Sequence, residues 1–244
     1  MAKLTLSSEI TDFTIDLHPP IKLDQDKKYE CAFLSLHTYN SLPNITETNN
    51  IFRYSPDNGT SWKNIVLSRG AYELRDITSA IQRRMVQNRD YNEAKNKSYI
   101  NIDHHKPTFK SILDIKNSNY IVDFTNENSI ASTLGFNKER LPAGYHLSPN
   151  IINIEKVNSI LIHCDIVLGT YVNSKTSNVL YNFAMTVSPG YKVIERPTPE
   201  LIFLPIVERP EIQSIRIWLT DQDNNPLDLM GEKLTINILI RERK

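Results

Sequence analysis

The residues whose types and spacing come nearest to a reactive constellation are Asp103, His104 and His105, consecutive in the sequence. A carboxylate beside two imidazoles supplies ligands for a divalent metal, and two such metals can activate water against a phosphoester. That chemistry needs further aspartates from other strand ends, on a scaffold of regularly alternating strands and helices. The chain shows no such alternation, so the triplet reads as a polar loop after a strand. His18, His37, His146 and His163 complete the six histidines and form no His-Glu-x-x-His spacing. His163 sits in an apolar run and is expected in a core or an interface. There is no Gly-x-Ser-x-Gly elbow, and no Gly-rich phosphate loop among the seven glycines. Asp221-Gln-Asp-Asn-Asn225 is oxygen-rich enough to suggest calcium, but it lacks the glycine and closing glutamate of a helix–loop–helix site. A hairpin turn between two long strands accounts for it more simply. The reading nominates no catalytic, cofactor-binding or metal-ligating residue and expects a non-enzymatic chain without cofactors.

The elements that would position any site are mostly strands. Asp12–Leu17 alternates, with Phe13, Ile15 and Leu17 on one face, and Pro19-Pro20 is expected to stop it. Tyr29–Leu36 is apolar enough for a central strand covered on both sides. Ile51–Tyr54 and Trp62–Leu67 are short strands about a turn ending at Gly59. From Tyr72 to Met85 the apolar residues Leu74, Ile77, Ile81 and Met85 recur at the helical period, a core-facing stripe. A polar stretch, Gln87 to Lys97, reads as an exposed loop. Strands at Tyr99–Ile102, Phe109–Ile115 and Tyr120–Phe124 follow, then a short helix over Ser129–Leu134 closed by Gly135. The second half is again strands: Ser159–Leu168, Asn178–Val187, Leu201–Leu204, Ser214–Thr220 and Leu234–Ile240. About eleven strands are too few for two eight-stranded rolls, so one all-β jelly-roll β-sandwich over 1–244 is expected, with an α+β insertion at 70–145.

Composition narrows the partners. Lys+Arg and Asp+Glu balance at 28 each, without the basic excess of a dedicated nucleic-acid binder. Arg83-Arg84 and the Arg241–Lys244 tail are the longest basic features, and the tail reads as a solvated terminus. No apolar run reaches the length of a membrane helix, and the N-terminus lacks the apolar core of a signal peptide. Synthesis in the cytosol is expected, leaving the Asn44, Asn58 and Asn96 triplets without glycans. Cys31 and Cys164, the two cysteines, lie in apolar strand-like runs and are expected to be buried free thiols in a reducing compartment.

Several segments together resemble the penton-type minor capsid proteins of the Polinton/Maverick (adintovirus-like) lineage. They are Gly70–Ile77 at the helix start, Tyr120–Phe124 leading to Ser132–Phe136, Ile217–Leu229, and Leu234–Ile240. The resemblance implies a single jelly roll, five copies around a vertex of an icosahedral virion shell, and contact with a double jelly-roll major capsid protein. It also implies a packaged linear double-stranded DNA genome, synthesis in the host cytoplasm and no catalytic residues. Neutral net charge suits a ring of identical subunits, whose heterologous contacts require two matching patches per copy. Tyr39, Tyr171 and Tyr191 are candidate aromatic contacts. The competing reading is a carbohydrate-binding or attachment β-sandwich with Trp62 and Tyr54 lining a cleft.

Overall fold

The computed structural model describes residues 1–92, 97–154 and 156–243. They divide into two compact units, Met1–Leu42 with Val157–Lys244, and Pro43–Lys156.

The first unit is a sandwich with eight principal strands among the described residues. These are β1 (Ala2–Ser8), β2 (Asp12–Lys22), β3 (Tyr29–Tyr39), β4 (Ile160–Cys164), β5 (Val179–Phe183), β6 (Lys192–Glu195), β7 (Glu211–Thr220) and β8 (Leu234–Glu242). One sheet runs β1-β8-β3-β6, with Phe203–Pro205 also paired to β3; the other runs β5-β4-β7-β2. All of these pairings are antiparallel. The order is nested: first with eighth, second with seventh, third with sixth, fourth with fifth. A long hairpin rolled up on itself produces this order, and it is the jelly roll. Alternation supplies the core, because every second side chain of a strand faces the opposite sheet. Leu6, Phe33, Leu36, Ile236, Ile238 and Ile240 from one sheet share a buried cluster with Phe13, Ile160, Ile162, Ile215, Ile217 and Leu219 from the other. Phe33 stacks on Tyr181 across it, with ring centroids 4.4 Å apart.

The second unit lies between β3 and β4 in sequence. One of its sheets runs Arg140–Leu141, Ile121–Asp123, Ile51–Ser55, Lys63–Val66; another runs Gly144–Leu147, Lys110–Ile115, Ile100–His105. Helix α1 (Leu74–Gln87) buries Ile77, Ile81 and Met85, three of the four stripe residues. Asp76 caps its start by accepting from the Glu73 N–H at 3.0 Å. This unit takes in the expected insertion at 70–145 and reaches beyond it at both ends. The reason is strand pairing: the strand expected at Ile51–Tyr54, ahead of the insertion's bounds, runs over Ile51–Ser55 and is hydrogen-bonded to Ile121–Asp123.

Other expectations are corrected. Pro19-Pro20 do not end β2, which continues to Lys22. β2 is an edge strand, and its register with β7 jumps from Ile21–Ile212 to Asp16–Ser214. The prolines fall in that irregular stretch, where they forfeit no ladder bond. The sequence reading assigns no strand to β1, although Leu4 and Leu6 alternate with Lys3, Thr5 and Ser7. Phe109 stands outside its strand in a left-handed turn (φ 54°) and is exposed. The Gln87–Lys97 stretch is not one exposed loop: Asp90 is buried and Tyr91–Asn92 pairs with Lys97–Ser98. The middle of that stretch and Asn96 lie outside the described residues.

Candidate functional site

The pleat separates the members of the Asp103-His104-His105 triplet. They end the strand Ile100–His105, so His104 projects to the face opposite Asp103 and His105. Asp103 Oδ1 accepts from the His104 backbone N–H at 2.7 Å, and His105 Nδ1 lies 2.7 Å from Thr108 Oγ1. Among the described residues, no group of three or more His, Cys, Asp or Glu is placed to hold a metal. The Asp221 carboxylate is occupied by its own turn: Oδ1 accepts from the Asp223 and Asn225 N–H groups, each at 2.8 Å, and Oδ2 from Asn225 Nδ2 at 2.9 Å. Burial raises its pKa, but these bonds outweigh that and hold it below the ordinary carboxylate value.

His163 is buried on β4, stacked on Trp218 with centroids 4.9 Å apart and 2.9 Å from Thr220 Oγ1. Burial lowers its pKa, keeping the ring neutral. The stack extends outward, because the Arg216 guanidinium lies 5.0 Å from the Trp218 ring centroid and forks onto Asp12 at 2.8 and 2.7 Å. Cys31 and Cys164 are buried free thiols, and burial pushes both pKa values up, Cys164 to about 12.

Two buried carboxylates anchor the second unit. Asp90 Oδ2 accepts from Tyr54 Oη at 2.5 Å and Lys63 Nζ at 2.7 Å. Tyr54 has no exposed surface, so it cannot line a sugar cleft with Trp62. Asp123, also fully buried, accepts from the Thr125 N–H and hydroxyl and faces Arg53 at 3.6 Å and Arg140 at 3.4 Å. Both guanidinium groups lie near the Trp62 ring, at 4.8 and 5.0 Å from its centroid. Trp62 thus serves as a platform for the arginines that neutralise a buried charge.

The sandwich surface carries polar and aromatic side chains. Outside the first sheet, Thr5 donates to Asn237 Oδ1 at 2.7 Å and Asn237 Nδ2 to Ser35 Oγ at 2.9 Å, an uncharged polar ladder across three strands. Tyr39, Tyr171 and Tyr191 are all exposed. The basic tail is partly structural: Arg241 belongs to β8, donates to Glu30 at 2.7 Å and lies 3.2 Å over the Phe203 ring. That corrects its reading as a solvated terminus. Sequence reasoning also missed a groove lined by residues 23–25 and 27–29, Leu168, residues 205–210 and Arg243. Its wall comes from four distant segments, so no local spacing announces it.

The nested strand order defines a single jelly-roll protein, a fold that viral capsid proteins share with lectins and cupins. Among solved structures, the chain is similar to the mavirus penton protein in its selenomethionine crystal form. The match has a TM-score of 0.52 and 13% identity, over 99% of this chain and 99% of that one. A chain of the Sputnik virophage structure, determined by cryo-EM, matches at TM-score 0.40 and 12% identity over 98% of this chain and 97% of that chain. No protein-family model matches the chain. No curated protein matches it either. The mavirus likeness bears out the expected resemblance to a penton-type jelly roll at the level of fold.

Proposed function

We propose that the chain is a structural virion protein, a penton subunit that forms homopentamers at the vertices of an icosahedral shell. The observation that carries this reading is the nested eight-stranded roll with a unit inserted between β3 and β4, in a chain matched end to end by the mavirus penton protein. The histidine and aspartate candidates support a role without catalysis, since they serve turns, stacks and strand ends. Each copy presents two different edges, β1 with β2 and β5 with β6, as the heterologous contacts of a closed ring require. The double jelly-roll major capsid protein is the expected neighbour in the shell, and synthesis falls in the host cytoplasm.

Light scattering after gel filtration tests the ring. Five copies of the 28.1 kDa chain give a mass of about 140 kDa, and that species is expected. A 28.1 kDa monomer that persists both alone and with the major capsid protein would overturn the pentamer.

A further inference from the structure

At one end of the sandwich, the β2–β3 turn, the segment leading into β7 and the chain just after β8 enclose a groove of about 730 Å³. Its floor is apolar: Leu23 and Ile206 are buried, Tyr29 and Val207 partly so, and Leu168 stands exposed at the mouth. Its rim is basic, with Lys27, Lys28, Arg209 and Arg243 against Asp24 and Glu208. Lys27 is engaged by Glu242 at 3.0 Å. Among the described residues, Lys28, Arg209 and Arg243 have no carboxylate within 4.0 Å.

We propose that this groove binds an extended, acidic peptide segment of a partner protein, with apolar side chains seated on the floor and carboxylates on Lys28, Arg209 and Arg243. The inference deepens the shell reading, on which it rests for the partner being another component of the virion. Unpaired cations around an apolar floor are complementary to a segment that alternates carboxylates with aliphatic anchors. The anchors contribute by leaving water, and the carboxylates by charge-assisted hydrogen bonds. A nucleic-acid strand fits less well. The one aromatic lining residue, Tyr29, is tied by its hydroxyl to the Asp24 N–H at 3.1 Å. Stacking platforms for successive bases are therefore missing.

The test uses the full chain and fluorescence anisotropy with three labelled probes: an octapeptide alternating glutamate and leucine, its lysine–leucine counterpart, and oligo-dT. Binding of the acidic peptide alone is expected. The Arg209→Glu/Arg243→Glu variant should weaken it by about tenfold or more, and Leu168→Ser should weaken it separately. These side chains are exposed, so both variants should keep the parent circular dichroism spectrum. Equal binding of both peptides, tighter binding of oligo-dT, or unchanged affinity in both variants would overturn the proposal. A chain that pentamerises but ignores the acidic peptide removes only the groove assignment. One that binds the peptide yet never pentamerises or enters a shell removes the shell reading instead.

Discussion

Gly135 and Gly59 both lie in the unit Pro43–Lys156 and both have positive φ, 78° and 88°. Alanine at either position adopts a left-handed conformation that costs about 1–2 kcal/mol. The surroundings then separate the two sites. A Cβ on Gly59 meets nothing nearer than Trp62 Cζ2 at 3.6 Å, an ordinary contact. A Cβ on Gly135 would collide with the Asn150 carbonyl oxygen and lie 2.8 Å from that of Ile151. That backbone cannot simply recede, because the Asn150 oxygen accepts from Ser148 Oγ at 2.7 Å and the Asn150 N–H donates to the Gly135 oxygen at 3.0 Å. Forcing a methyl group into such a space costs about 1–3 kcal/mol more. Gly59→Ala should therefore destabilise by about 1–2 kcal/mol, and Gly135→Ala by about 2–5 kcal/mol. Urea unfolding followed by Trp62 fluorescence in a Trp218→Phe background reports on the unit that holds both glycines. Equal losses at the two sites would refute the argument that the Asn150 turn locks this corner.

Other consequences are open to direct measurement. His163 is held below its ordinary pKa by burial, so the unfolded chain gains its proton first. Stability should be full above about pH 6.5 and fall as pH drops through that unfolded value toward the folded one. His163→Phe should flatten the slope of urea midpoints between about pH 7.5 and 5.5, and an unchanged slope would contradict this. Tyr54→Phe removes a donor to buried Asp90 and should cost about 1–3 kcal/mol in urea unfolding; a loss under about 0.5 kcal/mol would mean that Lys63 suffices. Cys31 and Cys164 should resist a thiol reagent at pH 8 in the folded chain and react when it is unfolded, since burial raises both pKa values. Rapid labelling of the native chain would show the sandwich to be looser than its packing implies.

Strand identity was legible where alternation was clean, as in Leu234–Ile240, because a period of two reports a half-buried strand without reference to its partner. Partnership was not legible. That β8 lies between β1 and β3 depends on residues from opposite ends of the chain, and β1 passed unnoticed because Leu4 and Leu6 are a weak signal alone. The helix was readable from Ile77, Ile81 and Met85, since its period needs only local residues. Tyr54 was misjudged for the opposite reason: its burial depends on Asp90 and on Tyr120, which lies parallel to it at 6.3 Å. Pro19-Pro20 misled because a proline's effect depends on whether the strand is central or at an edge, and only the sheet order decides that. The groove was invisible for want of any local pattern. Asp103-His104-His105 reads from the sequence as a loop after a strand ending at Ile102, whereas the strand runs on to His105, because the pairing of His104 and His105 with Ser111 and Lys110 is not visible in a polar local sequence.

The most direct test of the account is to co-express the chain with the double jelly-roll major capsid protein that the proposed role gives it as a neighbour, and to image the shells by cryo-EM with fivefold averaging. The account predicts one jelly-roll domain of this chain, repeated five times, around each vertex. Shells that close with another protein at the vertices, while this chain stays outside or on the facets, would contradict it.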